Sequence, residues 1–486
     1  MSKQHSQTGK VSMTDHNTVL LYSILGVYFL LISWGISNHE QWRDEAQAWL
    51  IVRDSGFAEL FSILRTEGHP PLWYLLIMPF VKAGAPYVFQ NFLGAAIMLG
   101  AVYIMLFRTN LPLLIKILLP FSFFFLYEYT FFARSYCLIA FFTICVISLY
   151  PRRFEKPWLY ALCVVGLFNT HVLVFTLCGT LVLLYIWDLY SMKINSIHAT
   201  AAAVLMVIGG GYLLPYLFLA KMSDEFAKGI DDNWNRIATA VNNGVVVGLS
   251  ELLAALLLLL AIVLQARDRK ALILLAGGLI SVLYILGFKY FAAGMRHQGV
   301  IFFVLLVSIG IASVKDAPQV KHTVLKMLPV QWVFVAILFL QLKPSFEHYM
   351  TDIGNSFSGA KDAAAYLEDN KLDNRIIIGH QAWAASAILP FLGKDAKMYY
   401  GECGRYGTYY VYDSCFIQDK WRYPVEHSVD KAYDNFKGKL DSVVLVFNYP
   451  ANQQAMRFLD LIYSTPEPPI VQDEAFYIYR FKGGVK

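Results

Sequence analysis

The chain alternates between long apolar runs and short polar links for most of its length, then changes character near its end. Polar residues fill positions 1–17 and give way to an apolar run from Thr18 to Ser37. A bilayer-spanning helix needs ~20 such residues, so this run is expected to cross the membrane. It has no small-residue cleavage site and reads as an uncleaved signal anchor. Further apolar segments cover 88–107, 111–127, 131–150, 158–168, 171–189, 199–220, 246–265, 271–290, 296–314 and 327–343. Together they predict about eleven spans. Pro71–Val81 is apolar but only about 11 residues long, which favours a re-entrant or surface-lying helix; the alternative is a count of twelve with 71–83 crossing. From Pro344 the long runs stop. Residues 350–486 read as soluble α/β, with a helix over Ala360–Asn370. Strands are expected at Arg375–Gly379, Asp441–Phe447 and Phe476–Arg480, and loops over Tyr399–Tyr412.

The predicted fold class is therefore a polytopic α-helical membrane protein of about eleven spans with a C-terminal soluble α/β domain. Residues 1–17 would form a cytoplasmic N-terminus, 18–343 the transmembrane domain, and 344–486 an extracytoplasmic domain. A first outer loop would occupy 38–87.

Charge sets that orientation. Three basic clusters mark the inner side by the positive-inside rule: Arg152-Arg153…Lys156, Arg267-Asp268-Arg269-Lys270 and Lys315…Lys321-His322…Lys326. The acid-rich loop 221–245, with Asp224, Glu225, Asp231 and Asp232, then belongs outside. Composition agrees: 57% hydrophobic and 15% aromatic residues exclude an ordinary soluble domain. A net charge of +5, scattered between apolar runs, is a topology signal and no nucleic-acid footprint. Cys137, Cys145, Cys163 and Cys178 lie in apolar segments as small core hydrophobes. Cys403 and Cys415 in the polar tail can pair if that tail faces an oxidising compartment. No Cys-x-x-Cys occurs, so zinc and thioredoxin readings have no support.

Three polar constellations interrupt the apolar pattern. The first is His39-Glu40-Gln41-Trp42-Arg43-Asp44-Glu45-Ala46, followed by Glu67-Gly68-His69-Pro70-Pro71-Leu72-Trp73-Tyr74. Asp44 is the candidate catalytic carboxylate. Glu45 beside it is a second catalytic candidate, able to orient Asp44, hold an acceptor or cap the following helix. The plainer reading is that both acids complement a positive helix end. His69 suits contact with phosphate or acceptor, although Gly-His-Pro-Pro is also turn chemistry. The second constellation holds Glu128 and Arg134 at an outer span end, where Arg134 can grip a phosphate through paired hydrogen bonds or snorkel to the interface. Six residues separate these two, so no helical face stacks them. The third is Lys289…Arg296-His297, two cations and an imidazole at an outer hairpin. Asn169 and His171, at a turn between short helices, are a weaker candidate pair.

The order of these elements resembles the GT-C superfamily of membrane glycosyltransferases, such as protein O-mannosyltransferases and aminoarabinose transferases. Those begin with one span, an Asp-Glu pair in the first external loop, surface helices and a Pro-Pro-aromatic segment. The resemblance covers roughly 18–343 and implies inverting transfer from a polyprenyl-phosphate sugar on the extracytoplasmic side of a bacterial inner membrane. Asp44 would be the general base. His69, Arg134, Glu128, Lys289, Arg296 and His297 would serve the donor phosphate or substrate. Neither a Trp-Trp-Asp sequence nor a MIR-type domain is present, so a lipid, glycan or protein acceptor is left open. Paired carboxylates can bind a divalent metal, but no complete ligand set is assignable, so a divalent metal stays open and no cofactor is assigned. Two other classes remain: a lipid-linked glycan flippase, which lacks support from internal repeats, and a membrane acyltransferase or ligase using His69, His171 or His297.

Overall fold

The computed structural model describes residues 12–67, 69–214, 233–289, 294–313, 330–411 and 424–483. The acid-rich 221–232 stretch, the 315–326 basic cluster, Gly68, Cys415 and the side chain of Lys289 lie outside the described residues.

Each of the eleven predicted segments coincides with a helix, but the helices differ widely in length. Among the described residues, five are long and apolar enough to cross a membrane outright: Asn17–Asn38, Phe89–Arg108, Val172–Ser191, Arg269–Phe288 and Met295–Ala312. A sixth crossing arises if Leu113–Phe121 and Phe123–Phe131, bent by 51° at their junction, form one broken span. Tyr136–Arg152, Pro157–Phe168, Ile197–Gly211 and Glu251–Gln265 are shorter apolar helices. The protein is a multi-pass helical membrane protein.

The bend has a local cause. Pro120 and Ser122 interrupt the helix, and Phe123–Glu128 continues as a π-helix, whose wider turn re-aims the side chains at its end. Gly35 permits the first helix to press against this region, since a Cβ there would overlap the Phe131 ring.

Between the first two long spans lie three short helices. With the first span as α1 (Ser12–Asn38), these are α2 (Arg43–Asp54), α3 (Phe57–Glu67) and α4 (Leu72–Lys82). The span Phe89–Arg108 is α5. At 11 residues, α4 extends only ~16 Å, half a hydrocarbon core. It packs against α2 and buries Trp73, Tyr74, Ile77 and Val81.

The helix Val330–Gly354 runs without a break through Pro344. The compositional boundary at 343/344 thus falls inside a helix, because the change marks only where the helix leaves apolar surroundings. After it comes a six-stranded mixed sheet in the order β3-β2-β1-β4-β6-β5. Its strands are β1 (Ile376–Gly379), β2 (Met398–Tyr400), β3 (Arg405–Gly407), β4 (Val443–Phe447), β5 (Leu459–Ser464) and β6 (Tyr477–Phe481). β1 runs parallel to β2 and β4, and the remaining pairings are antiparallel. The apolar runs at β1, β4 and β6 sit centrally, as expected. β2 and β3 form a hairpin where loops were expected, and β5 is an edge strand that the pattern did not signal.

Two of the basic clusters meet at one end of the bundle. Arg153 and Lys270 both pair with the buried Asp188, at 2.8 and 2.6 Å. The Tyr136–Leu149 helix leads from that end to Arg134 at the other, where the site lies.

Candidate active site

The site is organised by α2, which carries Asp44 and Glu45 in its first turn. Neighbouring helical residues diverge by about 100°, and the two acids accordingly face different surroundings. Asp44 pairs through its carboxylate with Arg296 from the helix Met295–Gln298. Its side chain keeps 23% exposure, against 14% for Arg296. Arg134 donates to the Asp44 carbonyl at 2.5 Å and reaches His69 Nε2 at 3.3 Å. Burial alone would raise the Asp44 carboxyl, but the guanidiniums of Arg296, Arg134 and Arg43 outweigh it and hold the group below the usual carboxylate range.

His69 has one consistent tautomer. Its Nδ1–H donates to the Glu67 carbonyl at 2.9 Å, leaving Nε2 to accept from Arg134. Burial and then the Arg134 charge push its pKa down to about 3, so the imidazole is neutral. Nearby His171 and His297 close a ring cluster. The centroids are 5.5 Å apart for His69–His171 and 5.6 Å for His171–His297, and Tyr136 touches both His171 and His297. His171, weak on sequence grounds, therefore belongs to this group, whereas Asn169 bonds to Tyr212.

Glu45 turns into the core. One oxygen accepts from Asn91 at 2.6 Å and from the Ala133 amide at 2.8 Å. The other accepts from the Trp42 amide at 3.2 Å, half of a capping box, and lies 3.5 Å from His39. Of the three roles open to Glu45, the geometry favours capping and positioning over catalysis. His39 also contacts Asp352 at 2.9 Å. Burial opposes its charge, but Asp352 and Glu45 more than offset that and lift its pKa to about 10.

Glu128 does not pair with Arg134. It accepts from the Arg296 backbone amide, while the Tyr129 hydroxyl donates to the Arg296 carbonyl at 2.8 Å. The π-helix thus ends by clamping the backbone of residue 296. The Arg296 guanidinium also lies over the Trp42 ring, 4.8 Å from its centroid.

Glu67 was missed as a candidate. It is buried and accepts from Gln47 at 2.6 Å and Tyr74 at 3.2 Å. Burial raises its pKa. Its place directly before Gly-His-Pro-Pro was the available signal. Among the described residues, no three His, Cys, Asp or Glu side chains converge as a metal site would require.

The sheet domain grips the same helix. Arg43 reaches Asp473 at 2.5 Å and Glu474 at 3.3 Å, and its guanidinium stacks over Trp383. Gln47 exchanges hydrogen bonds with the Tyr410 backbone at 2.9 and 3.2 Å. Glu40 accepts from Ser356 Oγ and the Phe357 amide at 2.7 and 3.0 Å. Cys403 of this domain is disulfide-bonded.

No protein-family model matches the sequence, and no curated protein matches it. The structure does find a counterpart: ArnT from Cupriavidus metallidurans, in a crystal structure bound to undecaprenyl phosphate. The match covers 95% of this chain and 97% of that one, with a TM-score of 0.50. The two proteins share a fold. Sequence identity is 10%, so the likeness is one of architecture, including both the helical bundle and the terminal sheet domain. A helical membrane region followed by a C-terminal α/β domain, as expected from the sequence, is what the structure shows.

Proposed function

We propose that the protein is a glycosyltransferase moving a sugar from a polyprenyl-phosphate donor to an acceptor at the extracytoplasmic face of a bacterial inner membrane. The observation that carries the reading is the convergence of Asp44, Arg134 and Arg296 at one end of a GT-C-type bundle. That the fold is shared with a protein bound to undecaprenyl phosphate supports the donor class. The N-terminus is then cytoplasmic and the sheet domain extracytoplasmic, in keeping with Arg153 and Lys270 lying at the opposite end.

In this reading Asp44 takes the proton from an acceptor hydroxyl or amine as that atom attacks the anomeric carbon. The bond from that carbon to the phosphate oxygen breaks, and its electron pair leaves with the polyprenyl phosphate. A single displacement inverts the anomeric centre. Arg134 and Arg296 present planar forks that match phosphate oxygens, stabilising the charge that develops there. Neutral His69 orients Arg134, Glu128 holds the backbone of Arg296, and Glu45 fixes the loop that carries Arg134. His297 stands in the same ring cluster as His171 and Tyr136, and Lys289 enters by its sequence position alone. No step requires a metal.

The histidine cluster is where an acyltransferase would find its base. Purified protein, a radiolabelled lipid-linked sugar and an acceptor lipid extract separate the readings. Asp44→Asn is expected to lower turnover by ~10²-fold or more, while single His→Gln changes at 69, 171 and 297 leave measurable transfer. Near-normal turnover in Asp44→Asn would remove the base assignment. Label that crosses a liposome without entering a new glycosidic bond would identify a flippase instead.

A further inference from the structure

Arg296 pairs with the Asp44 carboxylate and, on the transferase reading, is also placed to meet the donor phosphate. We infer that Arg296 is exchanged between the Asp44 carboxylate and the donor phosphate, so that binding the phosphate releases the carboxylate to act as a base. Both the phosphate and the base rest on the transferase reading.

The two arginines are held differently. Arg134 is fixed at both ends of its guanidinium, by the Asp44 carbonyl at 2.5 Å and by His69 Nε2 at 3.3 Å. Arg296 instead meets the Asp44 carboxylate and the face of Trp42. Its backbone is anchored separately, with Tyr129 donating to its carbonyl at 2.8 Å and Glu128 accepting its amide. Its side chain can therefore rotate without moving the helix that carries it. Trp42 offers an aromatic face on which the cation rests during the exchange.

Chemistry gives the exchange a purpose. A carboxylate paired with a guanidinium is a weak proton acceptor, because taking a proton would abolish the pair. A phosphate offers several oxygens to the same fork and competes well for it. When Arg296 moves, Asp44 still faces Arg43 and Arg134, so the carboxylate is not left buried and unpaired. The donor must then precede the proton transfer, and the base is muted until the sugar is in place.

Linkage makes the exchange measurable, because coupling between two ligands of one group is reciprocal. The probe is geranyl phosphate, titrated calorimetrically into the full-length protein in detergent. Asp44→Asn is expected to tighten binding about tenfold, within the ordinary range of coupling between sites. Arg296→Gln is expected to weaken it. In the Arg296→Gln background, adding Asp44→Asn should change affinity by less than threefold. Unchanged or weaker binding in Asp44→Asn would overturn the inference, as would a tenfold gain that persists without Arg296, which reports only the loss of a nearby negative charge.

If Asp44→Asn fails to fold, wild-type kinetics decide. The acid limb of kcat/KM reports the free protein and that of kcat the donor complex. Arg296 and Arg134, Arg43 on its own helix, and Glu67, His69 and Tyr87 all face Asp44. Of these, Arg296 alone is proposed to move, and the kcat limb should lie at higher pH. Coincident limbs would refute the exchange. A protein that transfers no sugar yet completes the binding cycle would keep the exchange and lose the transferase reading alone.

Discussion

Replacing Glu45 with alanine separates a supporting role from a chemical one. The wild-type carboxylate is fully buried and accepts from two backbone amides, of Trp42 and Ala133, and from the Asn91 side chain. Alanine leaves all three donors without that acceptor, and each such loss costs about 1–3 kcal/mol. Asn91 retains its bond to the Phe131 carbonyl, which softens its share. His39 keeps Asp352, so its charge stays compensated. The expected total is about 4 kcal/mol, in the range for breaking a buried ionic contact. That corresponds to a fall in apparent melting temperature on the order of 5 °C or more. The assay is thermal unfolding in detergent by intrinsic fluorescence, alongside turnover. Glu45→Gln should fall between, since it keeps one accepting oxygen but turns an NH2 group toward another donor. A Glu45→Ala protein that melts like wild type while losing all turnover would refute the argument and return Glu45 to the chemistry.

Two further outcomes follow from the geometry. Arg134→Lys should be intermediate and Arg134→Ala severe in donor-concentration dependence, because lysine keeps the charge but cannot reach the Asp44 carbonyl and His69 together; three matching curves would make Arg134 an interface anchor only. Burial, partly offset by Arg43 and Ser358, pushes Glu474 up to about 7. Its folded value exceeds its unfolded one, so its contribution to stability is full below about 4.5 and is lost as pH rises through 7. Glu474→Gln should flatten the decline in melting temperature between those values, and an unchanged slope would count against it.

Much of this architecture was legible because it depends on short-range pattern. Apolar runs located the helices, and the runs at Arg375–Gly379, Asp441–Phe447 and Phe476–Arg480 located three strands, of which β1 and β4 are buried almost throughout, where continuous hydrophobicity is demanded. The edge strand Leu459–Ser464 escaped notice because its half-exposed residues carry no such constraint. The candidate site was legible in its residue types but not in its pairings. Adjacent acids gave no hint that Asp44 and Glu45 would diverge. Nor could local pattern reveal that Asp44 meets Arg296 across 252 positions, or that Glu128 would hold a backbone amide rather than Arg134. His171 looked like a turn residue and Glu67 was not singled out; tertiary packing brings His171 beside His69 and Glu67 against Gln47.

Arg43, one residue before the candidate base, is held by Asp473 and Glu474, more than four hundred positions later in the chain. This contact sets a schedule for biogenesis. The spans can insert and pack as they are synthesised, but the helix bearing Asp44 lacks this outer brace until the last strands have been translated and delivered to the same side. A nascent chain is therefore a membrane protein well before its reactive helix is fully seated. Premature termination shortly before residue 473 should yield inserted protein with a loosened α2, so that quality control of synthesis and control of activity meet at the same contact.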